Sequence, residues 1–147
     1  MPFIFIITGS SLTAEGRSAA TSLRKLLTVH EMMEAQWWSS GDFLSNVATC
    51  VYHLGMETRV YNNPNLKRQR VGAKADGKDW LMYGDTETER GLDVLHRLRE
   101  FTHNIDRRRT QILFCDKTIA RAFFIYLRSI GEYKIRGRGE GRVIVVD

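Results

Sequence analysis

Residues 110–131 read "TQILFCDKTIARAFFIYLRSIG", and the reading of this stretch decides the fold class. Its first part, "TQILFCD", is a short unbroken apolar run of the kind that fills the interior of a sheet. A helical repeat takes over at once. Ile119, Ala122, Phe123, Tyr126, Leu127 and Ile130 fall on one face, and Gly131 closes the pattern. Downstream, "EYKIRG" and "GRVIVVD" alternate as two further strands. Strand, helix and strand joined at this length imply a right-handed crossover between parallel strands. The last two strands are a few residues apart and must be antiparallel if they pair. The expected class is α/β, or α+β, as a single domain over residues 1–147. It would have a mixed sheet of about five to six strands and about four packed helices.

Working outward, the same grammar recurs. Residues 3–8 are a second buried apolar run, followed by the turn "TGSSLTAEGR". Leu23, Leu26, Leu27, Met33 and Trp37 recur at helical spacing, which predicts one helix from Ser18 to about Trp38. Asp42 is placed to cap a second helix carrying Phe43, Val47, Cys50, Val51 and Leu54, with Gly55 at its end. "ETRVY" alternates like a strand. Residues 62–79 are the least core-like and read as an exposed basic loop, and "WLMY" after them as a short strand. A third helix is expected from Thr86 to Ile105, with Val94, Leu98, Phe101 and Ile105 inward and Asp93 to Arg97 as a favourable pair outside.

Apolar residues make up 43% of the chain and only two prolines interrupt it, which excludes dominant disorder. The opening "PFIFIITG" has neither the basic flank nor the length of a signal peptide or membrane span. Cys50 and Cys115 are isolated and read as buried thiols in a reducing, cytoplasmic setting, not as a disulfide or a metal box. No cofactor is expected.

The charge points to a polyanion. The net charge is +5, and sixteen of the 22 basic residues are arginine, the fork that suits phosphate. If "EYKIRGRGEGRV" is one extended strand, Lys134, Arg136, Arg138 and Arg142 share a face. Gly137, Gly139 and Gly141 leave the opposite face bare for close approach. The competing reading is a glycine turn with rim arginines. A second cluster, Lys67, Arg68, Arg70 and Lys74, lies in the loop and has Trp80 beside it, the pairing of charge and aromatic that single strands use. "DRRR" at 106–109 is explained locally by a helix C-terminus.

Catalytic patterns are sparse. Asp116, Glu132 and Lys134 resemble the D…(D/E)xK arrangement of metal-dependent nucleases, in which two acids hold Mg²⁺. The intervening helix argues against it, so Asp116 and Glu132 are read as structural. "ITGSSLTAEGR" could cradle phosphate as a strand-to-helix loop, though it lacks the GK[ST] of a P-loop. His30 falls on the apolar stripe of the first helix, and the other histidines have no nucleophile or metal spacing. The expectation is a non-enzymatic, sequence-tolerant DNA- or RNA-binding protein, of a type that suits a virus or phage, with no membrane partner. Two alternatives stand beside it. One is an assembly or inhibitor protein that meets an acidic protein partner or its own copies. The other is the Mg-dependent nuclease.

Overall fold

The computed structural model describes residues 3–8, 13–69, 90–130, 135–138 and 143–146. Six strands and five α-helices run in the order β1 (Phe3–Ile7), α1 (Thr13–Leu26), α2 (Val29–Glu34), β2 (Gln36–Ser39), α3 (Leu44–Leu54), β3 (Val60–Asn62), α4 (Gly91–His103), β4 (Gln111–Cys115), α5 (Lys117–Ser129), β5 (Ile135–Arg138) and β6 (Val143–Val146). They form one mixed sheet, in the order β3-β2-β4-β1-β6-β5. The α/β class holds. Four strands, β3, β2, β4 and β1, are mutually parallel. β6 runs antiparallel to β1, and β5 antiparallel to β6, so β5 points the same way as β1.

The unbroken apolar runs of β1 and β4 follow from burial on both faces, as expected of parallel strands covered by helices. Ile4, Ile6, Trp37, Ile112 and Phe114 pack on one side against Ala19 and Leu23 of α1 and Val47 and Cys50 of α3. Phe3, Phe5, Leu113 and Cys115 pack on the other against Val94, Leu98 and Phe101 of α4 and Ile119, Phe123 and Leu127 of α5. The first pair of helices touches at Gly16. A Cβ there would stand 2.7 Å from the Asn46 carbonyl oxygen and 2.8 Å from Thr49 Cβ, so only glycine lets α1 and α3 come this close.

Several local expectations change. The long first helix breaks at Thr28, whose side chain accepts from Glu31 N while Glu31 reaches back to Thr28 N. This capping box starts α2. The helical spacing then ends, and Trp37 and Trp38 alternate as strand residues. Trp37 stacks on Phe114 at 6.2 Å, whereas Trp38 meets Phe101 edge-on at 5.0 Å on the opposite face. His30 leaves the core stripe with the break and pairs with Glu34 in solvent at 3.1 Å. A single 3-10 turn, Gly41–Phe43, intervenes before α3, so Asp42 is not that helix's cap. Gly55 ends α3 with φ of +67°, the left-handed position foreseen for it.

Within the stretch 62–79, Pro64–Leu66 is a 3-10 turn with Leu66 fully buried, so its start is anchored, not loose. Arg97 fixes it by donating to the carbonyls of Asn65 (2.9 Å) and Lys67 (3.2 Å). "WLMY" and residues 86–89 lie outside the described residues. α4 begins at Gly91, with Asp93 accepting from Arg90 N at 3.2 Å.

Candidate active site

Where a parallel sheet sends successive connections to opposite faces, a crevice opens at the carboxyl ends of the two strands concerned. Here those strands are β1 and β4. The chain leaving β1 goes to α1 on the Ile4/Ile6 face, and the chain leaving β4 goes to α5 on the Phe3/Phe5 face. Thr8 ties the two strand ends together, its backbone N–H donating to the Cys115 carbonyl at 2.9 Å and its hydroxyl to the same oxygen at 3.3 Å. The segment 9–12, "GSSL", follows Thr8 in the sequence and lies outside the described residues.

Asp116 follows β4 directly and is the N-cap of α5. Its Oδ1 accepts from Ile119 N at 2.9 Å. Among the described residues its other carboxylate oxygen has no partner, and Lys117 beside it is exposed. One strand away, β2 ends in two buried hydroxyls. The Ser39 hydroxyl donates to the Ser40 carbonyl at 2.6 Å, whereas the Ser40 hydroxyl has no partner among the described residues. β3 closes this side through Asn63, whose N–H donates to Ser39 O at 2.8 Å.

Of the positions singled out from charge, four are described, Lys67, Arg68, Arg136 and Arg138. Lys67 and Arg68 follow β3 and are exposed, with the Arg68 guanidinium 5.2 Å from the centre of the Phe43 ring. Arg136 and Arg138 lie in β5. β3 and β5 are the first and last strands of the sheet, about 24 Å apart at normal strand spacing, so the two clusters sit on opposite wings. Ile135 stands opposite Val146 and Gly137 opposite Val145, a one-residue slip that inserts Arg136 as a bulge. Arg70, Lys74, Trp80, Lys134 and Arg142 lie outside the described residues.

Of the D…ExK residues, Asp116 is the N-cap of α5, whereas Glu132 and Lys134 lie outside the described residues. Among the described residues no group of three or more His, Cys, Asp or Glu could hold a metal ion.

All histidines and cysteines of the chain are described, and none offers a nucleophile at the crevice. His30 is on α2, His96 and His103 are on α4, and His53 is on the last turn of α3, where it accepts from Arg17 Nε at 3.1 Å. Burial pushes the Cys50 thiol up to about 12, and the Cys115 thiol also rises, first through burial and then through the nearby Asp116. Both are free thiols in the core, as the sequence suggested.

No protein-family model matches the sequence, and no curated protein matches it. The fold has clear relatives among solved structures. Bacillus stearothermophilus YhfR superposes with a TM-score of 0.67 at 14% identity, covering 87% of this chain and 80% of that one. A protein of Escherichia coli K-12 assigned as an alpha-ribazole-5'-P phosphatase gives 0.62 at 15% identity over 89% and 80%. A mycobacterial glucosyl-3-phosphoglycerate phosphatase in complex with inorganic phosphate gives 0.60 at 12% identity over 86% and 77%. These likenesses correct the expectation of a non-enzymatic nucleic-acid-binding protein, and the viral setting that went with it. The fold is one that phosphatases carry. Among the described residues no helix is long and apolar enough to cross a membrane.

Proposed function

We propose that this chain is an enzyme of phosphate-ester chemistry, hydrolysing a phosphate monoester in the crevice between the carboxyl ends of β1 and β4. The observation that carries the reading is this switch point, with α5 opening directly onto it, in a fold shared with two phosphatases. Helix N-termini favour phosphate through their free N–H groups and dipole. The strand-to-helix loop "ITGSSLTAEGR", singled out in the sequence for phosphate, begins at the same place.

The residues present set the chemistry. With every imidazole elsewhere and the Cys115 thiol buried in the core, its pKa raised by that burial, the phosphoryl group goes directly to water. Water oxygen bonds to phosphorus, the bond from phosphorus to the ester oxygen breaks, and the water proton ends on the departing alcohol. Asp116 Oδ2, free of the capping bond, accepts that proton in the transition state. The backbone N–H groups of Lys117 and Thr118, which open α5, hold the phosphoryl oxygens, while Thr8 keeps the ends of β1 and β4 together.

The test is release of inorganic phosphate from p-nitrophenyl phosphate and from a panel of phosphorylated sugars and nucleosides. Turnover of at least one, lost in Asp116→Asn, is expected. No turnover together with no chemical-shift response to inorganic phosphate at Thr8, Asp116 and Lys117 would refute the reading.

A further inference from the structure

Buried hydroxyls in folded proteins are almost always hydrogen-bonded, and one that is not points to a missing partner. Ser40 is such a case. It is fully buried, and its Oγ is the one buried side-chain polar atom without a partner among the described residues. Its neighbour Ser39, equally buried, is satisfied. Ser40 also occupies the position from which serine normally caps the turn that follows, yet it makes no side-chain cap, and neither does Phe43 at the start of the 11-residue α3. The N-terminal end of this helical segment is therefore uncapped by any side chain, with an unused hydroxyl beside it.

The placement relates this orphan to the crevice. Ser39 pairs with Phe114, so Ser40, extended at φ −85° and ψ 166°, falls opposite Cys115, one residue before Asp116. Continuing the alternation of β2 puts Ser40 on the face of Trp38, the face on which α5 starts. β4 is one strand spacing away, about 4.8 Å.

We propose that Ser40 is a ligand-binding residue of the same crevice, its hydroxyl donating to an oxygen of the bound phosphate. The inference rests on the phosphate-ester reading above and adds to it a contact from the third strand. The hydroxyl without a partner among the described residues finds its acceptor in the phosphate.

Inorganic phosphate and p-nitrophenyl phosphate are titrated, by NMR and calorimetry, into the full chain and into Ser40→Ala, Ser40→Cys and Ser39→Ala. Loss of one hydrogen bond to a charged oxygen predicts about tenfold weaker phosphate binding in both Ser40 variants. Their unfolding midpoints stay at or above that of the parent, because no native bond is removed. Ser39→Ala, which does remove one, lowers the midpoint and leaves phosphate affinity unchanged. Equal phosphate affinity in the parent and both Ser40 variants overturns the role of Ser40 while the crevice stands. Absence of phosphate binding by the parent overturns the crevice itself. Should Ser40→Ala fail to fold, the near-isosteric Ser40→Cys decides the question.

Discussion

Asp116 is asked to do two things with one carboxylate, and the two can be separated by replacing it with alanine and with asparagine. As an N-cap it holds Ile119 N at 2.9 Å, and removing such a cap costs about 1 kcal/mol. For a chain of this size that corresponds to a fall in melting temperature of about 2–4 °C. The loss stays local, because Ile119, Ala122, Phe123 and Leu127 anchor α5 through the core whatever happens to its first turn. Asparagine caps as well as aspartate, so Asp116→Asn forfeits only the interaction of the charge with the helix dipole. That interaction is worth about 0.3–1 kcal/mol, and towards the lower end for a half-exposed group. As a general base, by contrast, the carboxylate has no substitute in the amide, and both variants should lose about 100-fold or more in turnover. Thermal melts and phosphate release on the same preparations give the pattern directly. Asparagine is expected to match the parent in stability and alanine in inactivity. If Asp116→Asn turns over substrate like the parent, Asp116 is a cap and nothing more. If Asp116→Ala melts with the parent, the account of how α5 begins is wrong.

Two further outcomes follow from the core. Gly16→Ala gains helix propensity of about 1 kcal/mol, but its Cβ meets a backbone oxygen at 2.7 Å, and overpacking of this kind costs about 1–3 kcal/mol. A net loss in urea denaturation is expected, and a gain would show that α1 and α3 part freely. Cys50 has a folded pKa raised by burial from 9.0 to about 12, so above pH 9 the unfolded chain loses a proton that the folded chain keeps. Stability is therefore complete below pH 9 and falls as the pH rises from 9 towards 12, by up to about 1.4 kcal/mol per unit for this thiol. Urea midpoints at pH 8, 9 and 10 should fall less steeply in Cys50→Ala, and parallel slopes would contradict the buried-thiol assignment.

The parts of the fold that could be read from sequence are those whose pattern is local and long. β4, α5 and the final pair of strands were legible because five buried strand residues pass straight into a 13-residue amphipathic helix. β2 was not, because a four-residue strand gives its alternation only two repeats and the helical spacing of α1 and α2 runs into it. Thr28 and Glu31 carried the signal for that break, a capping box three residues apart. The site was harder still. It is made by pairing Phe3 with Gln111 and Ile7 with Cys115, a juxtaposition no local pattern encodes. Arginine clustering drew attention to two stretches that belong to opposite wings of the sheet, while the residues at its centre are small and mostly uncharged. Only the hydroxyl-rich loop after β1 pointed towards it.

The two edges of the sheet treat their polar groups in opposite ways, and this contrast supports placing chemistry at one and not the other. At the amino edge, buried Gln111 is saturated. Its Nε2 approaches Gln36 Oε1 at 2.8 Å, Asp106 O at 3.0 Å and Arg109 O at 3.1 Å, and its Oε1 accepts from Trp38 Nε1 at 2.6 Å. Arg109 seals the same end by donating to Glu34 O at 2.8 Å. Such a network is complete without a ligand, and disturbing it leaves buried groups unpaired. At the carboxyl edge, among the described residues, the capacity is unspent: Ser40 has a buried hydroxyl with no acceptor, and Asp116 has a carboxylate oxygen free of its cap. An unsatisfied hydroxyl is a cost that folding alone does not explain. A phosphate seated at the switch point would accept from Ser40 while its attacking water gave its proton to Asp116, using both groups at once.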